Sequence, residues 1–166
     1  KLIYPLISLI LIASISPFLW TLLKPYQQNR IMIFLNPDLD PLGKGYHIIQ
    51  SKIAIGSGGL NGNGFLEGSQ SSLDFLPEKE TDFVFAIFSE QFGFTGSLVL
   101  ISIFLIFFLI PIFKTLKLTQ AFNKIILFVL SFKIFFEFLI NISMTIGLLP
   151  VVGVALPFMS YGGSSL

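Results

Sequence analysis

Three long apolar runs constrain this chain more than any other feature. Residues 2–23 (LIYPLISLILIASISPFLWTLL) carry no charge. Residues 92–113 (FGFTGSLVLISIFLIFFLIPIF) are likewise uncharged. Residues 125–149 are apolar apart from Lys133, Glu137 and a few small polar side chains. A helix needs roughly 20 apolar residues to cross the hydrocarbon of a bilayer, so each run is long enough. Lipid offers the backbone no hydrogen-bond partner, and only helices and closed barrels solve that problem. The period-two alternation of a barrel strand is absent, so the runs predict helices. The first run is too long for the apolar core of a signal peptide, and no small-residue cleavage site follows it. Pro5, Pro17 and Pro111 are expected to kink or end these helices.

The remaining composition agrees. Charged residues make up 11% of the 166 positions, against about 25% in an ordinary soluble domain. A water-soluble globule is excluded on that ground, and so is a disordered chain, which needs low hydrophobicity and high charge. The net charge of +1 offers nothing to attract nucleic acid. Cysteine is absent, which excludes disulfides, thiolate zinc sites and thiol nucleophiles. A single histidine excludes a multi-histidine metal site. The chain starts at Lys1 and stops just after a Gly/Ser cluster, and we expect it to be a piece of a longer protein.

The connections predict orientation. Residues 114–124 (KTLKLTQAFNK) hold Lys114, Lys117 and Lys124 and no acid, as cytoplasmic loops do. Segment 24–82 holds two more acids than bases and is placed outside the membrane, as is the uncharged stretch 150–166. The expected fold is therefore all-α: three transmembrane helices (about 2–23, 83–113 and 125–149) and one long structured outer loop, 24–82. All of it forms part of one integral membrane domain.

The outer loop is too long to be a simple connection. Within it, 44–55 (KGYHIIQSKIAI) puts Tyr46, Ile49 and Ile53 on one helical face, which predicts a short amphipathic helix lying on the membrane. His47 sits there, with a surface or hydrogen-bonding role favoured over catalysis. The glycine-rich run GSGGLNGNGF (56–65) contains neither GxGxxG nor GxxxxGK[ST], which disfavours a nucleotide site. Two readings stay open for it: a flexible turn, or backbone N–H groups that hold a phosphate or a sugar hydroxyl.

Glu78, Glu80 and Asp82 alternate just before the second apolar run. Thr81 or Asp82 could cap the helix that follows. The other reading of Asp82 is chemical. A carboxylate flanked by Phe83 and Phe85 at a membrane face is partly desolvated, which makes it a better general base. Capping and chemistry both remain open at this point. In the third run, Lys133 and Glu137 are spaced i, i+4 and can pair, which lowers the cost of charge inside a span. A structural pair is favoured over a proton or ion path, and Asn141 shares the face one turn on.

Two longer patterns carry a resemblance. DPLGKGYHIIQSKIAIGSGGLNGNGFLEGSQSSLDFLPEKETDFVFA (40–86) and GLLPVVGVALPFMSYGGSSL (147–166) resemble the two signatures of the SEDS family of polytopic membrane glycosyltransferases. These are the shape, elongation, division and sporulation proteins of bacterial peptidoglycan synthesis. The stretch HIIQSKIAIGSGGL with FLPE and TDF is nearer to the rod-shape elongation branch, RodA, than to the division branch, FtsW. The departures are Glu80 where the family usually has His, Glu90-Gln91 for a Glu-Glu pair, and Ala155 for a Pro.

The resemblance implies an enzyme of the bacterial cytoplasmic membrane. It would polymerise glycan chains from lipid II by inverting glycosyl transfer, forming β-1,4 bonds, in cell elongation and shape control. An older alternative for the family is a lipid II flippase. Asp82, the acid of the TDF motif, is implied to be catalytic. Gln50, Ser57, Gly58, Gly59, Gln70, Glu78, Thr81, Ser160 and Tyr161 fall on motif positions and are implied to bind substrate. Lys44 and Lys52, with Lys79 and the GSGG backbone, are the candidates to stabilise a diphosphate leaving group. A divalent cation, Mg or Mn, is a candidate cofactor on the strength of the acids Glu78, Glu80 and Asp82. The implied partners are a class B penicillin-binding protein and other membrane proteins of the elongation complex. The family has about ten spans, so this piece alone is expected to be inactive.

Overall fold

A computed structural model describes residues 20–41, 43–68 and 81–161. The first predicted span, 2–23, lies outside the described residues except for its last four positions. Among the described residues the fold is all helical: α1 (Pro25–Leu35), a 3₁₀ turn (Pro37–Leu39), α2 (Lys44–Ser57), α3 (Val84–Lys117) and α4 (Ala121–Thr145). The two last helices are long and apolar enough to cross a membrane.

Local chemistry sets the helix starts. Pro25 occupies the first turn of α1, where its missing N–H costs nothing, and the Gln27 side chain accepts from the Lys24 N–H at 3.0 Å. At α2 the Asp40 carboxylate accepts from the Lys44 N–H at 2.9 Å, which satisfies one of the free donors of the first turn. The predicted helix over 44–55 therefore forms, but it does not lie on a surface by the predicted face. It buries Gly45, Ile48, Ser51 and Ala54, while Ile53 is exposed. The reason is tertiary: α2 packs on both long helices, and the Ser51 hydroxyl donates to the Thr145 carbonyl of α4 at 2.9 Å.

Helices α3 and α4 run antiparallel across the lysine-bearing turn and stack Phe104 on Phe138 and Phe108 on Phe135, with ring centroids 4.3 and 4.1 Å apart. Most of their other large apolar side chains point outward, as lipid-facing or partner-facing surfaces do. Two apolar clusters tie the far end together. One joins Ile33, Ile48, Phe83, Met144 and Val151; the other joins Phe85, Phe104, Phe138 and Leu156.

Pro111 was expected to kink its helix, yet the break in α3 lies elsewhere. Gly93 (φ 67, ψ −166) interrupts the helix, while Pro111 is carried within it. The interruption frees backbone groups that a straight helix would pair as 94 to 90 and 95 to 91. The glycine-rich loop takes them. Asn63 N–H donates to the Glu90 carbonyl (3.0 Å) and Gly64 N–H to that of Gln91 (3.2 Å). In return, Phe94 N–H donates to Gly59 (2.9 Å) and Thr95 N–H to Leu60 (3.1 Å). Two intrahelical bonds are thus exchanged for four between segments. The approach is close enough that a Cβ on Gly58 would overlap the Ser89 carbonyl oxygen, and one on Gly62 that of Gln91. Beyond the break, Phe94 to Lys117 spans roughly 36 Å at 1.5 Å per residue, enough for the bilayer core.

Candidate functional site

The two sequence signatures meet at the start of α3. Asp82 is half-buried there, one residue before the N-cap, which is Phe83. Phe83, not Thr81 or Asp82, is the N-cap residue of α3, and its side chain makes no cap bond. The N-cap position is thus held by neither residue the sequence offered for it: the chain turns through 81–83 before helical dihedrals begin.

The carboxylate lies instead against the segment that follows α4. Its Oδ2 is placed so that a Cβ on Gly153 would come within 3.2 Å of it. The peptide units around it are held from the same side. Asn141 Nδ2 donates to the Asp82 carbonyl (2.9 Å) and to the Val154 carbonyl (2.7 Å). Ser160 Oγ donates to the Thr81 carbonyl (2.6 Å) and accepts from Leu156 N–H (2.7 Å). Asn141 is fully buried, on the α4 stripe with Phe138 and Thr145, one turn beyond the half-exposed Glu137.

Cations flank this end of the molecule. The Lys52 side chain crosses over Gly147, where a Cβ would overlap its Cε. Arg30 donates to the Val151 carbonyl at 3.2 Å, and Arg30 and Lys44 line one narrow crevice with Ile33, Ile48 and Val151. Arg30 gave no signal in the sequence beyond its charge. His47 lies under Phe83, ring centroids 5.9 Å apart, with a buried Nδ1 that has no partner among the described residues.

The other predicted site residues are dispersed. Gly58 packs at Ser89 and Glu90, about two turns of α3 from Asp82, roughly 10 Å. Ser57 spends its hydroxyl on the Ala54 carbonyl at 2.8 Å, and Gln50 is half-buried on α2. The idea that GSGG offers backbone donors to a diphosphate is corrected. Gly58 and Gly59 N–H donate to Ala54 and Gly56, and Gly62 N–H donates to Gly58, so these groups are already used. The reading of 56–65 as a flexible turn is corrected too, since both sides of the loop are bonded to α3. Tyr161 is 79% exposed. Gln70, Glu78, Lys79 and Glu80 lie outside the described residues. Among the described residues no three His, Asp or Glu converge as a metal site would require. Asp82 is the one described member of the acid cluster that suggested a cation.

Residues 2–166 match the FtsW/RodA/SpoVE family, whose members are described as cell cycle proteins. The chain belongs to that family. Among its relatives, the peptidoglycan glycosyltransferase MrdB of Escherichia coli K12 is 46% identical over 161 residues, covering 96% of this chain and 44% of that protein. The peptidoglycan glycosyltransferase RodA of Treponema pallidum is 47% identical over 144 residues, 87% of this chain and 33% of that protein. Among solved structures, a chain from a peptidoglycan synthase complex that coordinates polymerization and crosslinking superposes with a TM-score of 0.70 at 34% identity. It matches 98% of this chain and 44% of that one. The chain thus spans less than half the length of these relatives, and within the family it is an all-helical membrane protein.

Proposed function

We propose that the protein containing this chain is a lipid II polymerase of cell elongation, and that Asp82 is its general base. The observation that carries the reading is the placement of the Asp82 carboxylate against Gly153, at the junction of the two signatures. The relatives' names, peptidoglycan glycosyltransferase, supply the reaction class.

In the proposed step the 4-hydroxyl oxygen of one sugar bonds to the anomeric carbon of another. The bond from that carbon to the diphosphate oxygen breaks, and the hydroxyl proton passes to Asp82. Attack opposite the leaving group inverts an α-linked donor into a β-1,4 product. The departing undecaprenyl diphosphate carries the electron pair, and we assign Lys52, over Gly147, and Lys44, in the crevice it shares with Arg30, to offset its charge. Thr81 and Ser160 frame the base. Gln50, Ser57, Gly58, Gly59, Tyr161, Gln70 and Glu78 are assigned to the wider substrate surface, the first four through the shape of the docked loop rather than free N–H groups.

We further assign segment 24–82 to the outer side and 114–124 to the cytoplasmic side of the inner membrane. The chain is one part of a single integral membrane domain, and the proposed partner is a class B penicillin-binding protein of the elongation complex. A carrier would place ionisable groups near mid-span. The two described spans offer Lys133 and Glu137 there, and these pair with each other.

The test is glycan-chain formation from labelled lipid II by the full-length protein with its partner in detergent, where a flippase would give no polymer. General base catalysis is worth roughly 10²–10⁴-fold, so Asp82→Asn should lower polymerisation by about that much at an unchanged melting temperature. Polymerisation above about a tenth of normal, outside that range, would refute the assignment.

A further inference from the structure

We propose that Asn141 and Ser160 are positioning residues for Asp82, gripping its backbone so that the carboxylate is aimed past Gly153 at the substrate hydroxyl. The inference rests on the general-base reading above and names the machinery that makes it work.

Thr81 and Asp82 are consecutive, and each offers its carbonyl to a side chain from the C-terminal half: Ser160 Oγ at 2.6 Å and Asn141 Nδ2 at 2.9 Å. Two neighbouring peptide planes held at their oxygens fix the direction of the Asp82 Cα–Cβ bond. The second amide hydrogen of Asn141 goes to the Val154 carbonyl at 2.7 Å. Val154 adjoins Gly153, the residue the carboxylate lies against. One amide therefore sets the spacing between the base and the wall beside it.

The amide orientation follows from its partners, since turning it over would press Oδ1 onto two carbonyl oxygens. In the bonded orientation Oδ1 is buried without a partner among the described residues. Filling the space would not need such an orphan acceptor; what Asn141 supplies is its two donors. Ser160 likewise serves twice, accepting from Leu156 N–H while donating to Thr81, which ties the same loop to the same turn. Displacing a reacting group by about 1 Å costs on the order of 10²-fold in rate, so a looser grip reads out in turnover.

The experiment uses full-length protein with its partner and labelled lipid II. Asn141→Ser and Asn141→Asp each remove the paired donors, the latter at nearly constant size. Ser160→Ala removes the second grip from a half-buried position where folding is less at risk. We expect kcat per folded molecule to fall about 10- to 100-fold, with KM for lipid II within about twofold. In an Asp82→Asn background the same changes should cost no more than about a further twofold, because residues that act through one group are not additive. A merely structural role would lower the melting temperature and leave kcat per folded molecule alone. Should the Asn141 variants fail to fold, Ser160→Ala decides. If kcat of every folded variant stays within about twofold of normal while Asp82→Asn is inactive, this inference alone is overturned. An Asp82→Asn protein with normal turnover overturns the base assignment, and this inference with it.

Discussion

Replacing Gly93 with Ala tests the clasp between the glycine-rich loop and the broken helix. At φ 67 and ψ −166 the residue occupies a region that is essentially glycine's own, and a side chain there costs about 1–3 kcal/mol. A Cβ would also overlap the Gly62 nitrogen and press within 2.7 Å of the Leu60 and Asn61 carbonyl carbons. The chain has two ways out. It can keep the break and bear the strain and the displaced loop. Or α3 can straighten, which forfeits the four bonds between segments and regains two within the helix. At about 1 kcal/mol net per bond the second route loses roughly 2 kcal/mol before any packing at Gly58 and Gly62 is counted. Both routes converge on a loss of about 2–4 kcal/mol. Gly59→Ala is the control: at φ 54 it bears the strain of a left-handed backbone too, but open space surrounds its Cβ position, so only Gly93→Ala adds the overlap with the loop. The assay is a thermal melt of full-length protein in detergent, with limited proteolysis reporting release of 58–64. If Gly93→Ala melts no earlier than Gly59→Ala, the clasp contributes nothing and the reasoning fails.

Two further outcomes follow from charge. Lys133 Nζ and Glu137 Oε1 are 3.5 Å apart, with the side chains 68% and 37% exposed on a face no described helix covers. In an apolar setting either single neutralisation strands a charge, at a cost on the order of 2.5–3.5 kcal/mol, while Lys133→Leu with Glu137→Leu should melt closer to the parent; a harmless Glu137→Gln that abolished turnover would move the pair into the mechanism. The 166 residues are free of cysteine; in full-length protein with any cysteine elsewhere replaced, Asn63→Cys should react with an impermeant thiol reagent outside spheroplasts and Thr119→Cys should not, and the reverse pattern would invert the proposed topology.

How far the sequence carried the reading depends on where each constraint originates. The two described spans were legible because lipid leaves an apolar run almost no alternative to a helix, and the Lys133–Glu137 pair because i, i+4 geometry is local. The buried face of α2 was not legible. Tyr46, Ile49 and Ile53 look like an apolar face, but burial follows Gly45, which packs on the Pro37 and Asp40 carbonyls, and Ser51 and Ala54 further along the helix, with the Ser51 hydroxyl reaching Thr145 far off in sequence. The break at Gly93 was hidden for the same reason: a lone glycine in an apolar run looks tolerated until Gly59, Leu60, Asn63 and Gly64, far back in the sequence, take its neighbours' hydrogen bonds. Asp82 shows the division most clearly. Its two readings rested on the same six or seven residues, and nothing local could choose between them. What the structure adds comes from Asn141 and Ser160, whose partners are 59 and 79 residues away. They hold the two carbonyls that flank the Asp82 Cα. Two neighbouring carbonyls gripped from the C-terminal half, and a carboxylate set against Gly153, are the long-range facts from which the general-base proposal is argued.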